Sequence, residues 1–229
     1  MSRVEVLIPW AAPVPDEHRA AALAYVRQRH VEHGRTVTLA ATSSSRPWVK
    51  ANAVNPAVRR SSAELLVVAD ADVWVSADAL DAAVAAVEQG APWAMPHERV
   101  YRLTLEATRR VIAGDLELEL DVDPELLDER PYRGVAGGGI VVARRETLLE
   151  VPFDSRFEGW GSEDQALGIA LHALAGRAHC VGAPLWHLWH PPQYRVSRKI
   201  GSLESDALRR RYLAARRDPS RMRAIIAGA

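Results

Sequence analysis

Cysteine is almost missing from this chain. Cys180 is the only one in 229 residues, so an intrachain disulfide is excluded, a cysteine-built zinc site lacks the ligands it needs, and a reducing compartment fits. No apolar run approaches the roughly 18 to 20 residues needed to cross a bilayer. No signal or transit sequence precedes the strand-like run that begins at Val4, so the expected location is cytoplasmic, with peripheral contact to a membrane as an option. G-x-x-x-x-G-K-[ST], G-x-S-x-G and H-E-x-x-H are all absent, which removes the P-loop, the nucleophile elbow and the zincin. There is no internal repeat and no low-complexity linker. Net charge is also missing, since 29 Lys and Arg balance 29 Asp and Glu. What remains is 48% hydrophobic and 25% charged, the composition of a globular protein with ample length for one large domain.

The balanced charge is unevenly spread. From Arg195 onward there are ten Lys or Arg against three Asp or Glu, so residues 195–229 read as a basic, helical C-terminal segment. Such a segment can meet phosphates, an acidic polymer or an anionic membrane face, or be the solvated side of terminal helices. Ahead of it, strand and helix alternate. A strand over 4–8 stops at Pro9, and Asp16 caps a helix over 17–33 that Gly34 closes. A strand at 36–40, a loop at 43–47 and a helix over 48–60, interrupted near Pro56, come next. The unbroken apolar run at 65–69 suits a strand buried on both faces, and an alanine-rich helix fills 77–89. This order predicts an α/β fold with a mixed, mostly parallel central sheet flanked by helices. The second half is less regular, with an acidic, loop-rich excursion or lid at 115–133, a strand at 140–143 and a helix over 162–176. A short strand at 179–181 and helices near 203–216 and 220–226 complete it.

Three groups of residues carry chemistry. Asp70-Ala71-Asp72 follows the apolar strand, where open α/β sheets bind ligands. If the chain turns there, one carboxylate can reach a nucleotide and the other a cation that bridges a diphosphate. Trp186-His187-Leu188-Trp189-His190 places two imidazoles three residues apart, a borderline ligand type that accepts Mn²⁺, Zn²⁺ or Fe²⁺. Pro191 and Pro192 argue against a helix there, so one histidine is the expected ligand. Phe157 to Asp164 sets Trp160 between two glycines and follows it with Glu163 and Asp164. Ser162 and Gln165 fit a capping box, which predicts a helix starting at Ser162 with both carboxylates in its first turn. The positive end of the helix dipole favours their ionised forms there.

Together these groups resemble the GT-A-fold glycosyltransferases, especially family-2-like enzymes and the galactosyltransferase/GalNAc-transferase type with its G-W-G-x-E-D motif. The resemblance runs from Val4 to Pro192 and includes Lys50 to Asn55, similar to the segment that precedes the family's metal-site strand. It implies a single GT-A domain over 1–194, with a nucleotide-binding half (1–95) and an acceptor and catalytic half (96–194). Asp164 would be the catalytic base and Glu163 its neighbour in acceptor binding. Pro9, Asp70, Asp72, Gly138 and Gly139 would bind the donor, with Asp70 on the ribose. Trp160 and Gly161 would face the acceptor. Asp72 and His190 would ligate the metal, with His187 as substitute. The implied reaction is metal-dependent transfer of a hexosyl group from a nucleotide sugar, with inversion. Mn²⁺ is favoured over Mg²⁺ and a UDP-sugar over other donors. The acceptor stays open among saccharide, lipid, small molecule and a modified base in DNA. Trp10-Ala11-Ala12 stands where polar residues are usual, which leaves the base open. A non-catalytic sugar- or polymer-binding module on the same fold is the competing reading.

Overall fold

The computed structural model describes residues 2–12, 16–43, 48–118, 123–159, 161–192 and 202–228. Trp160 therefore lies outside the described residues, as do 44–47 of the expected loop, 119–122 of the expected lid and 195–201 of the basic segment.

The first half follows the alternation in the sequence. β1 (Val4–Ala12), α1 (Glu17–Glu32), β2 (Thr36–Ser43), α2 (Lys50–Arg60), β3 (Leu65–Ala69), β4 (Val73–Trp74) and α3 (Ala77–Glu88) come in order. Then follow β5 (Trp93–Arg102), α4 (Leu105–Ala113), β6 (Tyr132–Arg133), β7 (Ile140–Arg144), α5 (Arg145–Glu150), α6 (Glu163–Leu174), β8 (His179–His187), α7 (Leu203–Ala215) and α8 (Pro219–Ile226). The sheet order is β2-β1-β3-β7-β5-β8-β4, with β6 on β5. β1 pairs in parallel with β2 and β3, and β5 with β8. The β3–β7, β7–β5 and β8–β4 neighbours are antiparallel, so the second half is less parallel than the opening alternation predicts.

All five residues of β3 are buried, and their alternation shows why the run is unbroken. Leu66 and Val68 enter one core with α2, α6, α7 and α8, whereas Leu65, Val67 and Ala69 enter the other with α1, α3 and α4. A strand covered on both faces needs apolar side chains at both parities. The C-terminal helices share the first core through Tyr212, Ala215, Met222 and Ile225.

Several expected boundaries move. β1 does not stop at Pro9 but stays in register with β2 to Ala12. Its other edge pairs with β3 only from Val4 to Leu7, so the missing proline N–H can face the unpaired side. α2 runs through Pro56, and Asn52, whose carbonyl forfeits a helical partner, is exposed to water. β5 lies between β7 and β8 and has no strand-like signature in the sequence. Pro96 and the polar His97-Glu98-Arg99 obscure it, and its register with β8 shifts at these residues.

α1 carries a test of burial against charge. His30 is fully buried, its ring edge-on to Trp74 at 5.1 Å, and neither ring nitrogen has a partner among the described residues. Burial first, then Arg35 and His33, pull its pKa from 6.5 to about 4. The unfolded chain therefore takes up this proton first, and stability falls as pH drops from about 6.5, levelling below about 4. Denaturant titrations across that range are expected to give a shallower acid loss for His30→Leu than for the wild type. Parallel profiles would contradict a neutral, buried imidazole.

Candidate active site

Asp70 and Asp72 leave the end of β3 in opposite directions. The Asp70 N–H donates to the Gly139 carbonyl at 2.9 Å, which ties the turn to the glycine-rich entry of β7. The Asp70 side chain faces Lys50, and the Lys50 Nζ lies 2.6 Å from Asp70 Oδ1 and 2.8 Å from Asp164 Oδ1. Lys50 therefore joins a carboxylate of the first half to one 94 residues later in the chain, and its own side chain is only 8% exposed. Burial pushes the Asp70 pKa up, with Lys50 opposing and Asp164 and Asp72 adding to the rise. The Lys50 ammonium is held charged by Asp164 and Asp70 against its own burial.

Glycines let the second carboxylate approach. A Cβ on Gly137 would sit 2.3 Å from the Asp164 carbonyl oxygen, and one on Gly168 would sit 2.1 Å from the carbonyl oxygen of Ala136. The 136–139 backbone thus packs directly on the first turns of α6. A Cβ on Gly139 would strike Leu185 at 2.7 Å, and His97 lies beneath the same residue. Gly138 lies beside Asp164, 3.7 Å from its Cβ by the same measure. Pro9 is buried on β1 opposite Ala40, two residues beyond Leu7, which pairs with Val68 of β3 just ahead of Asp70.

The start of α6 differs from the capping-box expectation. The helix does begin after Ser162, whose carbonyl accepts the Ala166 N–H at 2.9 Å. Ser162 itself has a φ of 77° and makes no side-chain cap. The chain arrives through left-handed Gly159 and Gly161, and that geometry replaces the extended backbone from which a serine hydroxyl reaches the N3 amide. Glu163 is corrected as well. Its pKa is pushed up to about 8, by burial first and then by Asp164, and its Oε2 is buried without a partner among the described residues. Desolvation outweighs the helix dipole at this carboxyl.

Asp72 belongs to a second cluster. β4 pairs Val73 with His187 and Trp74 with Trp186, and the Leu188 N–H donates to the Asp72 carbonyl at 2.8 Å. This ladder, rather than a helical turn, brings both histidines to the aspartate. Ligand atoms of Asp72, His187 and His190 lie within 4.8 Å of one another. His187 and His190 each have Nδ1 at 2.9 Å from a backbone carbonyl, of Leu188 and Pro191 respectively. A proton on that nitrogen leaves Nε2 as the ligating atom, the usual second-shell arrangement of metal histidines. One carboxylate and two imidazoles suit Mn²⁺, Zn²⁺ or Fe²⁺, so the residues present fit the divalent cation that the resemblance implies. Burial lowers the His187 pKa to about 4, and the histidines and Arg19 hold Asp72 below the usual carboxylate range despite its burial. Two arginines flank the cluster. Arg19 lies 2.6 Å from His190 Nδ1, and Arg102 lies 3.3 Å from His187 Nε2.

Lys50, Arg19 and Arg102 had no assigned role in the sequence. Lys50 did leave a trace. It opens α2 in the first turn, where the helix dipole disfavours a cation, and it is followed by buried Ala51, Ala53 and Val54.

A scan against protein-family models finds no match, and a search of curated proteins finds none. Solved structures do show the fold. A mutant of Drosophila beta-1,4-galactosyltransferase 7, complexed with manganese, UDP-Gal and xylobiose, is similar at a TM-score of 0.51 and 13% identity. That match covers 92% of this chain and 80% of the other. Glucosyl-3-phosphoglycerate synthase from Mycobacterium tuberculosis is similar at a TM-score of 0.44 and 15% identity, over 94% of this chain and 80% of the other. The architecture, an α/β fold with a mixed sheet between helices, is similar to the fold of that galactosyltransferase. Among the described residues no helix is long and apolar enough to cross a membrane.

Proposed function

We propose that this protein is a metal-dependent glycosyltransferase that moves a hexosyl group from a nucleoside-diphosphate sugar to an acceptor hydroxyl with inversion. The observation that carries the reading is the pairing of two sites at one sheet end. The Asp72–His187–His190 cluster lies beside a lysine that joins Asp70 to Asp164. Asp70 is assigned to the ribose, Gly138 and Gly139 to the donor sugar, and Gly161 and Trp160 to the acceptor side. Asp72, His187 and His190 would hold the cation. When bound, it neutralises the charge that grows on the departing diphosphate.

The reaction asks little else of the protein. The acceptor oxygen forms a bond to the anomeric carbon as the bond from that carbon to the diphosphate oxygen breaks. Asp164 takes the hydroxyl proton, and Lys50 fixes the direction of its carboxylate. Glu163, held towards its neutral form beside Asp164, is placed to donate a hydrogen bond to an acceptor oxygen. Mn²⁺ is favoured over Mg²⁺, since the site combines one carboxylate with imidazoles rather than oxygens alone, and a UDP-sugar is the donor that the resemblance implies. A saccharide, lipid or small molecule is the acceptor class carried forward; a DNA acceptor is not part of this proposal.

Calorimetric titration of UDP with and without MnCl₂ tests the assignment. Mn²⁺ is expected to strengthen UDP binding to the wild type, and Asp72→Ala or His190→Ala to abolish most of that gain, since losing even an outer-shell partner of a metal ligand costs roughly 10- to 100-fold in metal affinity. Unchanged metal dependence in both variants would sink the metal site.

A further inference from the structure

Arg19 is placed where a bound cation would not tolerate it. It projects from the first turn of α1 with a side chain 20% exposed. Its Nη2 lies 2.6 Å from His190 Nδ1 and 3.2 Å from the Pro191 carbonyl, and its Nη1 lies 3.7 Å from Asp72 Oδ2. We infer that Arg19 is a built-in counter-ion of the Asp72–His187–His190 cluster, displaced when a cation enters and recaptured by the donor's diphosphate, so that cation and diphosphate binding depend on each other. This inference rests on the proposed metal and donor site.

A guanidinium has N–H donors and no acceptor, so its contact with His190 Nδ1 requires a lone pair on that nitrogen. The imidazole proton is then on Nε2, where it points at Asp72 Oδ2 at 3.0 Å. In that form Nε2 has no lone pair for a metal. Ligation through Nε2 needs the proton on Nδ1, where the Pro191 carbonyl waits at 2.9 Å. Arg19 must then leave. The arginine contact and the metal bond exclude one another on a single ring.

Without a cation, Arg19 supplies positive charge to Asp72, and with one, two positive charges would crowd the same oxygen. The displaced fork stays tethered to α1, whose first turn borders the site. A diphosphate on the cation offers oxygens that match an arginine fork better than a lysine. Arg102 also points an N–H at His187 Nε2, at 3.3 Å, but it is held in place by other partners. Its Nε is anchored by the Tyr132 hydroxyl at 2.8 Å and by Glu129 at 3.3 Å, whereas among the described residues the Arg19 Nε meets Asp16 at 3.6 Å.

The test uses the full chain, MnCl₂ and whichever of UDP, GDP and dTDP gives the largest thermal shift. Calorimetry measures each ligand alone and in the presence of the other, which gives the coupling factor between them. Arg19→Gln is expected to bind Mn²⁺ alone roughly tenfold more tightly than the wild type and to lose most of the coupling, because one charge about 4 Å away is gone. Arg19→Lys keeps the charge and is expected to hold Mn²⁺ alone as weakly as the wild type. The inference is overturned if Arg19→Gln shows wild-type Mn²⁺ affinity and coupling, or if Arg19→Lys tightens Mn²⁺ as much as Arg19→Gln does. A wild type that takes up no Mn²⁺, with or without nucleotide, instead overturns the proposed metal site and this inference with it.

Discussion

An Asp164→Asn variant is expected to bind its nucleoside diphosphate with near wild-type affinity and to lose turnover by about 10²- to 10⁴-fold, the usual contribution of a positioned base. Asparagine keeps the shape and one oxygen, so the contact with Lys50 Nζ, now 2.8 Å from Asp164 Oδ1, has an acceptor in the variant. What it lacks is the basic lone pair that takes the acceptor's proton. The donor subsite is spared because Asp70, Asp72 and the histidines are untouched. The measurement is single-turnover transfer from the sugar nucleotide chosen by thermal shift, beside calorimetry of the matching nucleoside diphosphate. Near-normal turnover would remove Asp164 from the role of base. Equal loss of turnover and nucleotide affinity would make it a structural member of the donor pocket instead.

The same residue shows where sequence reading reached its limit. The position of Asp164 was legible because glycines, an aromatic and two carboxylates stand together, and Asp70-Ala71-Asp72 was legible because a buried strand runs straight into it. β5 was not legible, although it fills the middle of the sheet. Only its first half is fully buried, and Pro96 with His97 to Arg99 breaks the apolar pattern that marks a strand. The capping box misled for a different reason. Residue types at Ser162 and Gln165 matched, but the left-handed turn before them dictates where the Ser162 side chain points. Neutral Glu163 also lay beyond the sequence, since its raised pKa comes from burial and from Asp164 in the folded protein. The arginines and the lysine were hardest to see. Arg19 meets His190 across 171 residues and Lys50 meets Asp164 across 114, and no local spacing records such a pairing.

Lys50 carries the second large expected effect. It is the cation that permits Asp70 and Asp164 to share one partly buried space, with Glu163 close enough to raise the lysine's own pKa further. Lys50→Met keeps an aliphatic stem but deletes the ammonium, whose nitrogen lies 5.5 Å from the centre of the Phe153 ring. Two carboxylates then face each other without a counter-charge. Breaking a buried pair by removing one partner costs about 3 to 5 kcal/mol, and the lower figure applies because Asp70 and Asp164 are 28% and 22% exposed. Denaturant unfolding at neutral pH reads this directly. Turnover should fall by about 10²-fold or more as well, since a misdirected base is costly even when the fold survives. Two double variants separate these effects. Lys50→Met with Asp70→Asn should recover much of the stability, because one of the opposed charges is gone, yet stay inactive because Asp164 has lost its anchor. Lys50→Met with Asp164→Asn should be no slower than Asp164→Asn alone, since the lysine acts through that carboxylate. Full additivity of the turnover losses in this second pair would mean that Lys50 contacts the donor independently. Recovery of both stability and turnover in the first pair would mean that its task is only to neutralise Asp70.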